Sequence, residues 1–101
     1  MEILEKGFNG LPTRMLRKQG ELETYIEITY DSSDRVIQRE ETTLFEDRVV
    51  DQYIQIRAYH DNGELALIKD NEGNESRFDR RGIPTFNREV KKSWTLTNNE
   101  K

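Results

Sequence analysis

The chain has 101 residues, of which 33% are hydrophobic and 36% are charged, and its formal net charge is −4. This length fits a single domain, residues 1–101, and the low apolar content predicts marginal stability or help from a partner or a second copy. The absence of cysteine excludes disulfides and thiolate metal sites, and no apolar run approaches the roughly 18 residues of a transmembrane helix. Because the first residues also lack the apolar stretch of a signal peptide, we expect a cytoplasmic protein without a membrane segment.

The first part of the chain contains one clear strand. Residues 1–12 are expected to be flexible, and within them residues 7–12 form a turn-rich segment with two glycines that presents Phe8. Residues 13–18 fit either a hairpin arm or a short helix. Residues 21–31 alternate between two sides and are rich in β-branched and aromatic residues, which predicts a strand. After a turn, residues 35–43 continue as a polar strand, which we place at a sheet edge because charge discourages pairing with other chains.

The middle of the chain has two interpretations. Phe45, Val49 and Tyr53 recur at four-residue steps, which is the spacing of a helix. The residues that follow, as far as Tyr59, alternate and are rich in β-branched types, which indicates a strand. We favour the strand, preceded by a loop near residues 46–47.

Turns punctuate the remainder of the chain. Asp, Asn and Gly clusters predict turns at residues 61–63, 70–74 and 80–84, with short strands at 64–69 and 75–79 between them. Residues 86–96 supply a last strand, and residues 97–101 are expected to be flexible.

An aromatic residue is followed four positions later by a turn-forming residue at three places. The pairs are Tyr30 with Asp34, Tyr59 with Gly63, and Phe78 with Gly82. This spacing indicates that an aromatic residue closes one strand before the chain reverses. The sequence therefore predicts a mainly β fold, an antiparallel meander of five to seven strands that forms a curled sheet or small open barrel, with at most one short helix.

Two of the predicted turns carry a recognisable sequence. Residues 78–82 read Phe-Asp-Arg-Arg-Gly and residues 70–74 read Asp-Asn-Glu-Gly-Asn. With their neighbours, residues 59–84, they resemble the tyrosine-aspartate repeats of Rhs-type toxin shells and teneurins. Tyr59 departs from that pattern because His60 precedes Asp61. The resemblance implies β-hairpins, but neither a hollow shell, which needs many copies, nor catalytic residues.

Catalytic and metal-binding motifs are not visible in the sequence. There is no phosphate-binding glycine loop, nucleophile elbow or dinucleotide fingerprint, and His60 is the single histidine. Asp70, Glu72 and Asn74 present oxygens that suit Ca²⁺, but these residue types also occur in turns for backbone reasons. We therefore expect neither an enzyme nor a cofactor nor a bound metal.

The remaining class is a non-catalytic, acidic protein-binding module, by analogy an inhibitor or immunity-type protein of bacteria or phages. Aromatic and arginine side chains dominate binding hot spots. The candidates are Phe8, Tyr25, Tyr53, Trp94, Arg80 and Arg81. Phe8 and Trp94 could instead plug the sheet, and a homo-oligomer stays open as a further arrangement.

Two other readings accompany this one. Residues 77–92 carry an excess of basic residues, which either neutralise an acidic face of the fold, as we favour, or bind a partner. Nucleic acid is not expected because the chain as a whole is acidic.

The alternative function is a small β-barrel that binds a sugar or lipid-like ligand. Its pocket would be lined by Tyr30, Ile54, Ile56 and Phe78.

Overall fold

The computed structural model describes residues 1–90. These residues form eight strands: β1 (Glu2–Lys6), β2 (Pro12–Gln19), β3 (Leu22–Tyr30), β4 (Val36–Phe45), β5 (Arg48–Tyr59), β6 (Leu65–Asp70), β7 (Glu75–Phe78) and β8 (Pro84–Arg88). In this part of the chain no helix is long and apolar enough to span a membrane.

The eight strands form one antiparallel sheet in chain order, from β1 to β8. Each strand contacts only its neighbours in the sequence. The Cα atoms extend over 45 × 40 × 16 Å with a radius of gyration of 16.5 Å, whereas a compact domain of this length has about 13 Å. The described chain is therefore a single-layer sheet, with no second layer packed on either face.

Alternation and register divide the side chains between two faces. Residues opposed in antiparallel strands point to the same side of the sheet. Met15 opposes Ile26, Ile26 opposes Glu41, and Glu41 opposes Tyr53. We call the side that carries this row the inner face, and the other side, which carries Tyr25, the outer face.

The inner face holds the buried residues of the described chain. Ile26 is 0% exposed, Thr24 is 4% exposed and Met15 is 8% exposed. The Thr24 hydroxyl lies 2.9 Å from the hydroxyl of Thr43, so its burial leaves no unpaired polar group. Complete burial of a side chain such as Ile26 contributes about 2 kcal/mol. The interior is thus a small cluster on β2 and β3 rather than a core that extends across the sheet.

The prediction of a mainly β, antiparallel meander is confirmed, with eight strands rather than five to seven in a sheet that does not close into a barrel. Residues 13–18 lie in β2, so the hairpin alternative is correct and the helix is wrong. The loop at residues 46–47 is also confirmed. Both of its residues have positive φ, at 51° and 65°, as the turns of two-residue hairpins require.

The prediction that residues 35–43 form an edge strand is wrong. Residues 36–43 belong to β4, which pairs with β3 on one side and with β5 on the other. Its charged side chains are accommodated because both faces of a single layer remain open to water. Glu41 pairs with Arg39 at 2.7 Å and with Arg17 at 3.4 Å on the inner face. Charge therefore does not mark an edge in a sheet whose interior strands are half-exposed.

The secondary structure near the two ends of the described chain differs from the prediction. Residues 1–12, for which the sequence predicts flexibility, contain β1 and the turn that follows it. The last predicted strand begins earlier than expected, at Pro84, as β8. β8 ends at Arg88, residues 89–90 are not in a strand, and residues 91–101 lie outside the described residues.

The four residues predicted to line a ligand pocket do not share a face, so that part of the prediction is wrong. Tyr30 and Phe78 lie on the inner face, whereas Ile54 and Ile56 lie on the outer face. Alternation along the strands separates the two pairs, and an open sheet does not bring them together.

Candidate functional site

Four hairpin turns lie side by side along one end of the sheet. In an antiparallel meander, every connection from an odd-numbered strand to the next strand falls at the same end. We call these turns, residues 7–11, 31–35, 60–64 and 79–83, the turn rim. Because neighbouring strands are about 4.8 Å apart, the rim is roughly 30 Å long.

All four turns have the same backbone geometry. In each, the N–H of the fourth residue donates to the C=O of the first at 2.9 to 3.0 Å, and the N–H of the first donates to the C=O of the fifth at 2.8 to 3.0 Å. The fourth residue always has positive φ, between 63° and 91°. Glycine takes this conformation without strain and Asp tolerates it. The fourth residues are Gly10, Asp34, Gly63 and Gly82.

A register shift accompanies each of these turns. The residue before the turn pairs with the residue after it, and the next position of the second strand is skipped. The pairs are Lys6 with Pro12, Tyr30 with Val36, Tyr59 with Leu65, and Phe78 with Pro84. The rim therefore repeats one turn-and-bulge unit four times, and the predicted spacing from aromatic residue to turn residue marks three of them.

Two arrangements of side chains alternate along the rim. Asp31 and Asp79 are the first residues of the second and fourth turns, and each Oδ1 accepts hydrogen bonds from the N–H groups of the third and fifth residues at 2.9 to 3.0 Å. Asn9 and Asn62 are the third residues of the first and third turns, and each Oδ1 accepts from the N–H of the fifth residue at 3.0 Å. Both arrangements stabilise a turn by satisfying its backbone donors.

The backbone donors also change the acidity of the turn carboxylates. N–H groups of Arg35 and Ser33 lower the pKa of Asp31 against a smaller opposing effect of burial. The N–H groups of Ile83 and Arg81 lower the pKa of Asp79 in the same way. Hydrogen bonds to a carboxylate favour its charged form, so both turns are strongest when their aspartates are ionised.

The two asparagines also connect neighbouring turns. Asn9 Nδ2 donates to Asp34 Oδ1 at 2.7 Å, which joins the first turn to the second. Asn62 Nδ2 donates to the C=O of Arg80 at 3.0 Å, which joins the third turn to the fourth. The same two turns are joined by an ion pair between Arg80 and Asp61 at 2.6 Å. Adjacent turns of the rim therefore hold each other in place.

Aromatic side chains make the connections below the turns. The Tyr30 hydroxyl donates to the C=O of Pro12 at 2.7 Å, and the Tyr59 hydroxyl donates to the C=O of Val36 at 2.7 Å. The guanidinium of Arg35 lies 4.6 Å from the centroid of the Tyr59 ring, which connects the second turn to the third. The strand-closing tyrosines thus bind each hairpin to the one before it.

The first turn presents an aromatic side chain to solvent. Phe8 is fully exposed, at 113% of its reference area. Between the first and second turns lies a groove of about 380 Å³, whose apolar lining includes Phe8, Ile28 and Tyr30 and whose carboxylates are Asp31 and Asp34. Phe8 therefore does not plug the sheet, and it borders an open groove instead.

A second groove, of about 440 Å³, lies on the other side of the second turn, between the start of β4 and the end of β5. Its lining includes Ile56 and Tyr59 and shares Asp31 with the first groove. Arg35 and Arg57 also line it, so its charge differs from that of the first groove. The rim thus repeats its backbone while varying the charge between turns.

The five predicted contact residues that the structure describes do not form one surface. Phe8 lies in the first turn of the rim, and Arg80 and Arg81 lie in the fourth turn, at the opposite end of the row. Tyr25 is half-buried on the outer face. Tyr53 is half-buried on the inner face.

Tyr53 and the remaining predicted residue have separate surroundings. The Tyr53 hydroxyl donates to Asp70 Oδ2 at 3.0 Å. Burial, with the nearby Asp70 carboxylate, raises the pKa of Tyr53. Trp94 lies outside the described residues.

The arginines of the predicted basic segment all lie close to carboxylates. Arg77 and Arg88 share Glu75, at 2.6 and 3.5 Å. Arg80 pairs across the rim as described, and Arg81 lies 3.8 Å from the carboxylate of its own turn. The four arginine side chains remain 56 to 80% exposed, so these pairs lie at the surface of the sheet.

The turn considered for Ca²⁺ uses its carboxylate for internal hydrogen bonds. Asp70 Oδ1 accepts from the N–H groups of Glu72 and Asn74, each at 3.0 Å. Its Oδ2 accepts from Asn74 Nδ2 at 2.9 Å and from the Tyr53 hydroxyl. Within residues 1–90 no three His, Cys, Asp or Glu side chains form a group suited to a metal ion.

Sequence reasoning missed the asparagines as connecting residues. Besides Asn9 and Asn62, Asn71 accepts from the N–H of Ile54 and donates through Nδ2 to the C=O of Gln52, both at 3.0 Å. The only signal was the position of each asparagine one or two residues before a turn glycine. The hydrogen bond that each asparagine makes to a neighbouring hairpin depends on which hairpin lies beside it. That is known only from the register of the strands.

Comparisons of the chain with protein-family models, with curated proteins and with solved structures gave no match.

Proposed function

We propose that this protein is a non-catalytic, protein-binding module of the inhibitor or immunity type, and that its partner supplies the second layer that the sheet lacks. The observation that carries the proposal is the single-layer sheet of residues 1–90, in which three residues are buried. A sheet normally buries at least one face against another element of structure. A partner that covers one face here would bury large side chains that are half-exposed in the isolated chain.

The turn rim supports the proposal as the first point of contact. Its turns are connected by side-chain hydrogen bonds and by an ion pair, so their order does not have to be created on binding. Preorganised loops lose little conformational entropy in a complex. Phe8 projects from this ordered rim, and exposed aromatic residues are common anchors in interfaces.

Charge indicates the kind of partner. The chain carries 20 acidic and 16 basic residues. An acidic module attracts a basic protein surface over a longer range than contact, which raises the association rate at low ionic strength. We therefore propose a basic protein as the partner rather than nucleic acid.

The proposal assigns no catalytic step to the chain. The perturbed carboxylates Asp31, Asp70 and Asp79 accept hydrogen bonds within their own turns, and these bonds account for their acidity. The expected biochemical effect is loss of the partner's activity when the two proteins combine in equal amounts.

The test is capture of the partner with a matched pair of variants. The tagged protein is used to purify partners from the cells that encode it, at low and at high salt. Phe8→Ala is compared with Val49→Ala, because Val49 is also exposed but lies at the opposite end of the sheet. We expect one partner that is retained at low salt and inhibited, with recovery reduced at least fivefold by Phe8→Ala and unchanged by Val49→Ala.

Two results would contradict the proposal. One is the absence of a stable partner at low salt. The other is an equal effect of the Phe8 and Val49 variants, which would mean that capture depends on general hydrophobicity and not on the turn rim.

A further inference from the structure

We propose that the groove between the first and second turns of the rim binds one positively charged side chain, arginine or lysine, of the partner protein. The inference rests on the proposed function, since it names the chemistry that the same rim recognises. It concerns the groove bordered by Phe8, Ile28, Tyr30, Asp31 and Asp34.

The charge of this groove is the first argument. Its lining contains two carboxylates and neither lysine nor arginine. Asp31 is compensated, because Arg35 Nε lies 2.9 Å from its Oδ2. Asp34 has the neutral Asn9 amide as its donor at 2.7 Å and forms no ion pair within residues 1–90. One negative charge therefore remains uncompensated in the groove, on Asp34.

The aromatic lining is the second argument. Phe8 and Tyr30 border the groove, and the face of an aromatic ring attracts a cation. Ile28 adds an apolar surface along which the methylene groups of a lysine or arginine side chain can pack. A carboxylate beside aromatic rings suits a guanidinium well, because that group stacks and forms directional hydrogen bonds at once.

The existing hydrogen bonds hold these groups in position before binding. Asn9 fixes the Asp34 carboxylate through its amide, and the Tyr30 hydroxyl donates to the C=O of Pro12. A cation that enters therefore meets a carboxylate whose orientation is already set. Little side-chain entropy is lost, which favours binding.

The second groove shows why the occupant is a cation in the first one only. It also borders the second turn, between the start of β4 and the end of β5, but Arg35 and Arg57 line it. A basic side chain would be repelled there. The difference in charge on the two sides of the second turn makes the first groove the position that selects a basic residue.

The test uses a defined probe. We titrate the full protein with a blocked glycine peptide that carries one central arginine, and with the same peptide carrying citrulline, which keeps the shape and loses the charge. Binding is followed by NMR through the Asn9 side-chain amide and the backbone amide of Asp34. We expect saturable shifts at these positions with arginine, and binding at least threefold weaker with citrulline, as loss of an ion pair and a cation–π contact at an exposed site implies.

A matched pair of variants separates local from general charge. Asp34→Asn is compared with Asp47→Asn, because both aspartates occupy turns with positive φ, at 63° and 65°, and both variants remove one negative charge from the molecule. Asparagine tolerates this backbone conformation as well as aspartate does. We expect Asp34→Asn to weaken arginine binding about threefold and Asp47→Asn to leave it unchanged.

A third variant examines the ring. Phe8→Leu keeps an apolar side chain and removes the aromatic face, and we expect it to weaken binding about twofold to fivefold. The inference is overturned if the arginine peptide causes no shifts at the groove. It is also overturned if citrulline binds equally well, or if the two Asn variants have equal effects. If a partner is still captured through Phe8 in any of these cases, the proposed function stands and only the cation site is wrong.

Discussion

The two halves of this sheet are held together in different ways. The half formed by β1 to β4 contains all three buried residues of the described chain, with Ile26 at their centre. The half formed by β5 to β8 contains none of them. Its hairpins are joined by polar side chains that bond to backbone groups. Asn62 donates to the C=O of Arg80, and Asn71 bonds to the N–H of Ile54 and to the C=O of Gln52 in β5. Polar bonds also join the hairpins of the first half, as between Asn9 and Asp34, but within the described residues only that half adds a buried apolar cluster.

The comparison shows how little core a repeated hairpin needs. Each strand contacts only its neighbours, so the two halves share no common interior. In such quasi-one-dimensional structures, stability is close to a sum of local terms and contacts between neighbours. We therefore expect the two halves to respond separately to substitutions, which measurements on each half can test.

The largest effect is expected in the apolar half. Ile26→Ala removes most of the one side chain that is completely buried within residues 1–90, and it should lower the free energy of unfolding by about 3 kcal/mol. Ile56→Ala is the control, because Ile56 is 39% exposed on the outer face of β5, and it should cost less than about 1 kcal/mol. Urea unfolding measures both values. Equal losses would show that the apolar cluster on β2 and β3 contributes no more to the free energy of unfolding than an exposed apolar side chain does.

The next effect is expected in the polar half. Asn71→Ala removes two hydrogen bonds to β5 and should cost about 1 to 2 kcal/mol. Lys69→Ala, at an exposed position of β6, is the control. Amide hydrogen exchange should become faster in β5 and β6 with little change in β2 and β3. Equal acceleration throughout the sheet would contradict the separate behaviour of the halves.

A smaller effect is expected where the two halves meet. Tyr59→Phe removes the hydroxyl that donates to the C=O of Val36 and should cost about 1 kcal/mol. Tyr25→Phe makes the same chemical change on the outer face, where the ring contacts the Arg14 guanidinium, and should cost less than about 0.5 kcal/mol. Thermal unfolding of both variants measures the two losses of stability. An equal cost would remove the role of the Tyr59 hydroxyl in joining the hairpins.

The smallest effect concerns acid and should fall mainly on the polar half. Burial opposes ionisation of Asp70, but hydrogen bonds from Asn74 and Tyr53 outweigh it, so the pKa of Asp70 is lowered from 3.8. The Arg77 side chain lowers the pKa of Glu75. Groups with a lowered folded-state pKa stabilise the fold above their unfolded pKa and lose that contribution as the pH falls through the folded value.

We therefore expect hydrogen exchange in β6 to β8 to accelerate, relative to β2 and β3, as the pH falls below about 4. Asp79→Asn keeps an acceptor at the turn and should make the fourth turn less sensitive to pH. If β2 and β3 loosen first in acid, the assignment of polar stabilisation to the second half is incorrect.

The sequence predicts the strands and turns better than their arrangement. Alternation identifies β3, and the spacing from Tyr59 to Gly63 identifies a rim turn, because both are local patterns. The sequence does not predict that β4 lies inside the sheet, since a charged strand is read as an edge when a covered core is assumed. That assumption fails because both faces of this sheet are open.

The candidate site shows the same limit. Phe8 is identified from its place in a glycine-rich segment, but its groove depends on the second turn lying beside the first, which only the register determines. Tyr25 and Tyr53 both appear as candidates in the sequence because both are aromatic. Opposite positions in the alternation place them on opposite faces, so they cannot contribute to one contact surface.

The central claim is that residues 1–90 form an open sheet of one layer, and small-angle X-ray scattering tests it most directly. The radius of gyration is measured over a concentration series and extrapolated to zero concentration, so that association does not contribute. We expect a value at or slightly above the 16.5 Å of the Cα atoms. A value near 13 Å, which is typical of a compact domain of about 100 residues, would contradict the single-layer architecture and the proposals that depend on it.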